Sequence, residues 1–328
     1  MKYTGITKLG LLIVGTALLA ACLNPASDGP GSGDPASDVP GADAFISTWR
    51  TDAGNDMTTA DNQIKLPLDP DGTYDFTVSW GDGTEERITS WDQAEVLHTY
   101  DSPGTYDVVI VGVIDGFGFI LAHTNTSDGY DSDQLVDIKQ WGSVRLHNNG
   151  GHFADADNLA GFSATDEPDL TGITNMSRMF QTAAIFNGDI SGWNTTDATT
   201  MEFMFLSAES FDQELNLWDT SSVTNMSSMF SFATSFNGDV SSWDTSSVTT
   251  MEGMFYNATS FDQPIGGWDT SAVTDMDFMF FMIAADSSAF NRDLSSWCVA
   301  AISAEPSGFD DNATSWTAAR PEWGSACL

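Results

Sequence analysis

Positive charge is scarce in this chain. Ten Lys and Arg stand against 47 Asp and Glu, for a formal net charge of −37 over 328 residues. A nucleic-acid partner is therefore excluded, because a phosphate backbone needs clustered cations, and so is direct adsorption to anionic lipid. The acidic surplus favours solubility and attraction to cations or basic partners. A plain solvated surface is the first reading of it, and an adaptation to salty surroundings the alternative. Catalytic signatures are absent too: there is no nucleophile elbow, phosphate loop, zinc motif or pair of catalytic acids, so no enzyme is expected. The four histidines include His147 and His152, which flank Asn-Asn-Gly-Gly at no metal-ligand spacing and read as loop residues.

What the chain has in place of these is a beat of 25 residues. Met176, Met201, Met226, Met251 and Met276 keep it, as do Phe180, Phe205, Phe230, Phe255 and Phe280. Trp193, Trp218, Trp243 and Trp268 share the period, and Trp297 follows after a slip of four. A period between about 20 and 50 residues marks stacked units that bury their apolar faces only against neighbours. Such a stack offers a long surface and seldom one cleft, so a binding scaffold is expected. Met226, Met229, Phe230 and Ala233 fall at i, i+3, i+4 and i+7, which predicts a short helix, and Thr249 with Glu252 has capping-box spacing. Phe236 to Trp243 predicts a brief extended segment with Val240 inward, followed by a turn at Trp243–Ser246. One helix and one strand per unit is a leucine-rich-repeat style of coil.

The ends carry other signals. Lys2 and Lys8, the apolar run Leu11–Ala20 and the small residues before Cys22 predict a secretory signal over residues 1–21, too short for a membrane span. Leu19-Ala20-Ala21-Cys22 resembles a bacterial lipobox, which implies cleavage before Cys22 and its acylation. An ordinary signal peptide with an incidental cysteine is the alternative. Several acyl chains would hold the protein on a membrane firmly, and Leu23 in place of an Asp leans towards the outer membrane. Residues 22–41, rich in Pro, Gly, Ser and Asp, predict a flexible linker. Cys298 and Cys327 read as a disulfide in an exported chain, worth roughly 3–4 kcal/mol by loop entropy; two free buried thiols are the alternative.

Residues 42–120 read as β, with strands at Thr73–Trp80 and Thr105–Gly112 around tight turns. Trp80-Gly81-Asp82-Gly83-Thr84, His98-Thr99-Tyr100 and Pro103-Gly104-Thr105-Tyr106 resemble the signature of a PKD domain. The resemblance implies an Ig-like β-sandwich without chemistry of its own, with Asp82 and His98 as turn and packing residues in place of a metal or catalytic pair. Residues 121–171 read as a connector with a degenerate coil, in which Phe153, Ala156 and Leu159 precede Phe180, Ala183 and Phe186 by 27.

Ser222-Val223-Thr224-Asn225-Met226-Ser227-Ser228-Met229-Phe230 and Phe236-Asn237-Gly238-Asp239-Val240-Ser241-Ser242-Trp243-Asp244-Thr245-Ser246 resemble the BspA-like surface proteins with Mycoplasma-type lipoprotein-associated repeats. The resemblance implies an α/β leucine-rich-repeat-like solenoid over 172–297, a closing cap over 298–328, and a cell-surface adhesion role. The expected partners are an extracellular protein or glycan, with the membrane reached only through the lipid and the protein a monomer. A structural envelope protein without a ligand is the alternative, and an accessory to extracellular polymer degradation a weaker one. An insertion near residues 281–289 breaks the beat. The Trp column reads as core before it reads as a sugar-stacking ladder. Asp189, Glu214, Asp239 and Asp293 form an outward acidic column, broken by Pro264, that would suit a basic partner or Ca2+; no cofactor is otherwise expected. Asn187, Asp212, Asn237, Asp262 and Asn291 read as a ladder that satisfies turn backbone groups.

Overall fold

The computed structural model describes residues 40–53, 59–119, 132–284 and 288–325. The expected signal peptide, Cys22 and nearly all of the linker lie outside the described residues, as does Cys327.

The first part of the described chain is built from strands. β1 (Phe45–Arg50), β3 (Leu68–Ser79), β4 (Glu85–Ile88), β6 (Thr105–Phe117) and β7 (Leu135–Gln140) lie side by side in the order β4-β3-β6-β1-β7, all pairs antiparallel. β8 (Arg145–Leu146) joins the far end of β6 in parallel. β2 (Gln63–Lys65) and β5 (Leu97–Thr99) make a separate two-stranded sheet. This is compatible with the expected β-sandwich. In β3 the residues Tyr74, Phe76 and Val78 are buried and their neighbours are not, the period-2 alternation of a strand with one covered face. The sheet takes in β7 and β8, from the stretch read as connector. Gly112, at φ +129, sits where a Cβ would come within 2.4 Å of the Asp75 carbonyl, so the long strand β6 passes close to β3 only because that residue is glycine.

The repeat region corrects the expected α/β solenoid. Among the described residues there is no α-helix, and beyond β8 no strand, only isolated parallel bridges joining Asn175, Thr200, Asn225, Thr250 and Asp275 in turn. The segments predicted as helices are runs of turns. Met226, Ser228, Phe230 and Phe232 donate their N–H groups to the carbonyls of Thr250, Glu252, Met254 and Tyr256 in the next repeat, while Met229, Ser231 and Ala233 donate back three residues to Met226, Ser228 and Phe230. A helix would send every one of these bonds four residues back. The reversal is made by left-handed residues: Arg178, Phe203, Ser228, Gly253 and Phe278 share one repeat position, Thr182, Ser207, Phe232 and Asn257 another, all with φ between 53° and 59°. Each non-glycine residue there costs about 1–2 kcal/mol, offset by backbone bonds to the neighbouring repeat. The i, i+3, i+4, i+7 spacing was real, and three-residue turns satisfy it as well as a helix does. Thr249 accordingly caps nothing, and its hydroxyl donates to the Thr224 carbonyl.

Side chains of one type then fall into register. Phe180, Phe205, Phe230, Phe255 and Phe280 are stacked with ring centroids 5.4 to 5.8 Å apart, and Phe153 joins the column at 5.5 Å from Phe180. Met176, Met201, Met226, Met251 and Met276 are each 0% exposed. In this Phe column the parallel stacking ends at Phe280. Phe309 and Trp316 meet Phe280 edge-on, and Trp316 meets Phe290 at 88°. Arg320 lies over the Trp316 ring and is paired with Asp310 at 2.7 Å, which covers the last apolar layer. The coil-to-coil bonds also change offset here, with Phe280 donating to Phe309, beyond the expected insertion.

Candidate binding surface

The ring faces of the Trp column are not available for a ligand to stack on. Trp193, Trp218, Trp243, Trp268 and Trp297 are each at most 5% exposed. The indole N–H groups of Trp218, Trp243, Trp268 and Trp297 donate to the carbonyls of Ile190, Leu215, Val240 and Ile265 at 2.9 to 3.0 Å. A sugar-stacking ladder on this column is thereby excluded, and the column is core, as read from the sequence.

The outward residues are of two kinds. The Asn/Asp column is a hydrogen-bonding ladder: the side-chain oxygen of Asn187 accepts the Asp212 N–H, Asp212 accepts from Asn237, Asn237 from Asp262 and Asp262 from Asn291. Buried Thr195, Thr220 and Thr245 form a parallel ladder, each hydroxyl donating to an Asp carbonyl in the following repeat. These rungs satisfy backbone groups that would otherwise be orphaned between repeats.

The expected binding column is partly engaged in the same way. Asp189 and Asp293 are exposed, and each accepts the N–H and hydroxyl of the serine two residues on, Ser191 and Ser295. These serine hydrogen bonds hold both carboxyls below the usual range. Glu214 accepts the N–H of Asp239, and Asp239 accepts that of Ser241. A second acidic column, missed in the sequence, runs beside it. Asp219, Asp244 and Asp269 cap Ser221, Ser246 and Ser271 in the same manner, and the serine hydrogen bonds lower their carboxyls too. The Asp-x-Ser spacing was the signal that could have found it. On the bridge side, burial, then the charges of Asp275, Asp277 and Glu202, raise the Glu252 carboxyl. Among the described residues no group of three or more His, Cys, Asp or Glu is placed to hold a metal ion.

In the sheet, the residues of the Trp-Gly-Asp-Gly-Thr pattern meet in one cluster. His98 stacks on Trp80 at 4.6 Å and donates to Asp82 at 2.9 Å; Tyr100 donates to the Trp80 carbonyl and stacks on Tyr106. Burial pushes the Asp82 carboxyl up, but bonds from Thr84 and His98 outweigh it and bring it to about 2. Asp82 closes the turn by accepting the Thr84 N–H and hydroxyl. His147 and His152 lie in a loop, as read from the sequence, but inside the fold. Both are buried, their rings are stacked at 4.5 Å, and His152 donates to the His147 carbonyl. Burial, with the neighbouring His147, pushes His152 down to about 3, and burial lowers His147 as well, so both are neutral.

Cys298 is disulfide-bonded, and its expected partner Cys327 lies outside the described residues. Among those residues no helix is long and apolar enough to cross a membrane. A cleft of about 300 Å3 opens between β3, β6 and the first repeat, lined by Asp69, Arg145, His147 and Asn149 among others, but these groups are bonded inward: Asn149 donates to Asp69, its own N–H donates to His147, and Arg145 donates to the Thr171 carbonyl. A family model described as "Mycoplasma protein of unknown function, DUF285" matches residues 150–247 and 238–325, more than half of the chain. No curated protein and no solved structure matches the chain.

Proposed function

From the premise that the chain belongs to this Mycoplasma repeat family of unknown function, we propose that it is a bacterial surface lipoprotein whose repeats bind an extracellular protein or polysaccharide without catalysis. Cys22 carries the lipid, residues 22–41 lift the folded part off the membrane, and the PKD-like sheet acts as a spacer in this reading. One observation carries it. The Met, Phe and Trp columns are wholly committed to the core, so the positions between them form a regular, acid-rich outward array that is suited to a basic or hydroxyl-rich partner. The alternative, a structural envelope protein, is favoured by the same array's internal bonding, since Asp189 and Asp293 already serve their own turns.

A ligand array probed with the soluble form, residues 42–328, separates the two. Saturable binding that is lost on charge reversal at Asp239 and Glu214 supports recognition. Its absence across host, matrix and glycan ligands supports the structural reading, and hydrolysis of any polymer sinks both. Palmitate incorporation that survives Cys22→Ser rules out the anchor.

A further inference from the structure

The first repeat differs from those that follow it at one place. Trp218, Trp243, Trp268 and Trp297 each give their indole N–H to a carbonyl in the repeat before. Trp193 has no regular repeat before it. Its side chain is 5% exposed, yet among the described residues its Nε1–H donates to no carbonyl as the other four do. The donor is left to whatever enters the space beside it.

This indole lines a cleft of about 260 Å3. Trp141 stands edge-on to Trp193 at 6.1 Å, and the half-buried Phe162 lies over it at 5.9 Å. Three carboxylates, Asp166, Glu167 and Asp189, rim the same space. Asp166 is fully engaged, accepting the N–H groups of Trp141 and Gly142. Asp189 serves Ser191 through Oδ1 only. Glu167 is exposed and makes no hydrogen bond among the described residues. It lies against Gly192, where any Cβ would come within 2.1 Å of its Oε1; the corresponding positions in later repeats carry Leu217, Ser242 and Gly267.

The geometry points to a saccharide-binding site in this cleft, with Trp193 Nε1–H donating to a sugar hydroxyl, and Glu167 and Asp189 accepting from neighbouring hydroxyls. The inference rests on the recognition reading above and names its ligand class: a neutral sugar ring. A hydroxyl both donates and accepts, so vicinal hydroxyls satisfy the indole and the carboxylates together. An ammonium group has no acceptor and would leave the indole N–H unpaired. Uronic and other acidic sugars are repelled by the three carboxylates. The volume is below that of a drug-sized pocket, which suits a single ring held by hydrogen bonds at its edge.

Saturation-transfer NMR on the soluble form tests this, with glucose, galactose, mannose and N-acetylglucosamine as neutral probes, glucuronic acid as the anionic probe and lysine methyl ester as the cationic one. The expected result is a neutral sugar that binds at up to ~10 mM, the range of a small single site, with affinity at least about tenfold weaker in both Glu167→Gln and Trp193→Phe, and no binding of glucuronate. Glu167 is exposed, so its substitution leaves the fold intact even if Trp193→Phe does not. Absence of binding by every neutral sugar, a signal unchanged in Glu167→Gln, or preference for the lysine ester overturns the site. If the ligand array still shows binding when no sugar signal appears, this site fails and the recognition reading stands. If a sugar binds at the cleft while the array stays empty, the site stands and recognition of a macromolecule fails.

Discussion

In the sheet, Phe45 is paired with Ile110 and Trp49 with Tyr106, partners that occur once and lie far apart in the chain. In the repeats, Met201 bonds to Asn225, Met226 to Thr250 and Met251 to Asp275, one offset used again and again. The core is continuous from Phe45 to Trp316, yet the two halves depend on substitution differently. A residue of the sheet half such as Tyr100, buried and bonded to the Trp80 carbonyl, answers to a unique neighbourhood. A repeat residue answers to its equivalents on either side, so a side chain that suits one repeat must suit three. That is why the Met, Phe and Trp columns are uniform, and why the buried column of Ile190, Leu215, Val240, Ile265 and Leu294 varies only among aliphatic side chains.

The largest expected effect comes from breaking a column. Phe230→Ala removes a ring that stacks on Phe205, Phe236 and Phe255 and should cost about 3–5 kcal/mol in denaturant unfolding. Hydrogen exchange should rise at Phe205 and Phe255 as well as at the mutated site. Phe76→Ala in the sheet should cost a similar amount without that symmetric spread; equal spread in both would erase the distinction between the halves.

Next is the seam, where His152 sits against both parts: Phe119 donates to its carbonyl, and its neighbour Phe153 donates to Met179. Its folded pKa lies below the ordinary 6.5, at about 3, so the unfolded chain takes the proton first. Its contribution is complete above pH 6.5 and is lost as pH falls towards 3. Thermal melts should show about 2 kcal/mol lost between about pH 6.5 and 5, before the lowered carboxyl of Asp82 acts near its pKa of about 2. A flat profile down to about pH 5 would contradict a buried neutral His152.

The 25-residue beat, the Trp core, the Asn/Asp ladder and strands β3 and β6 were legible, because each rests on residue type at a fixed period. The helix was misread because three-residue turns and helices present the same apolar spacing, and only backbone torsion separates them. Phe203, Ser228 and Phe278 give no sign of a left-handed backbone; Gly253 and Asn257, at those two positions of one repeat, were the available hint. The Trp193 cleft was hidden for another reason: it depends on what the first repeat lacks before it, which a column of identical tryptophans conceals.

Smaller effects refine the comparison. Trp243→Phe leaves the Leu215 carbonyl without its indole partner and should cost about 1–2 kcal/mol, measurable by urea unfolding. Ser228→Gly relieves a side chain at φ 53° and should stabilise by up to about 1 kcal/mol, whereas Ser228→Val should destabilise. If both changes were neutral, the left-handed turn would not be the resting backbone.

Far-UV circular dichroism of the soluble form tests the central claim most directly, since the whole division into buried columns and outward residues depends on repeats built from turns. Repeats of this kind predict a spectrum without the paired helical minima, lost in one cooperative transition on heating. A helical spectrum equivalent to one short helix in every 25-residue repeat would contradict them.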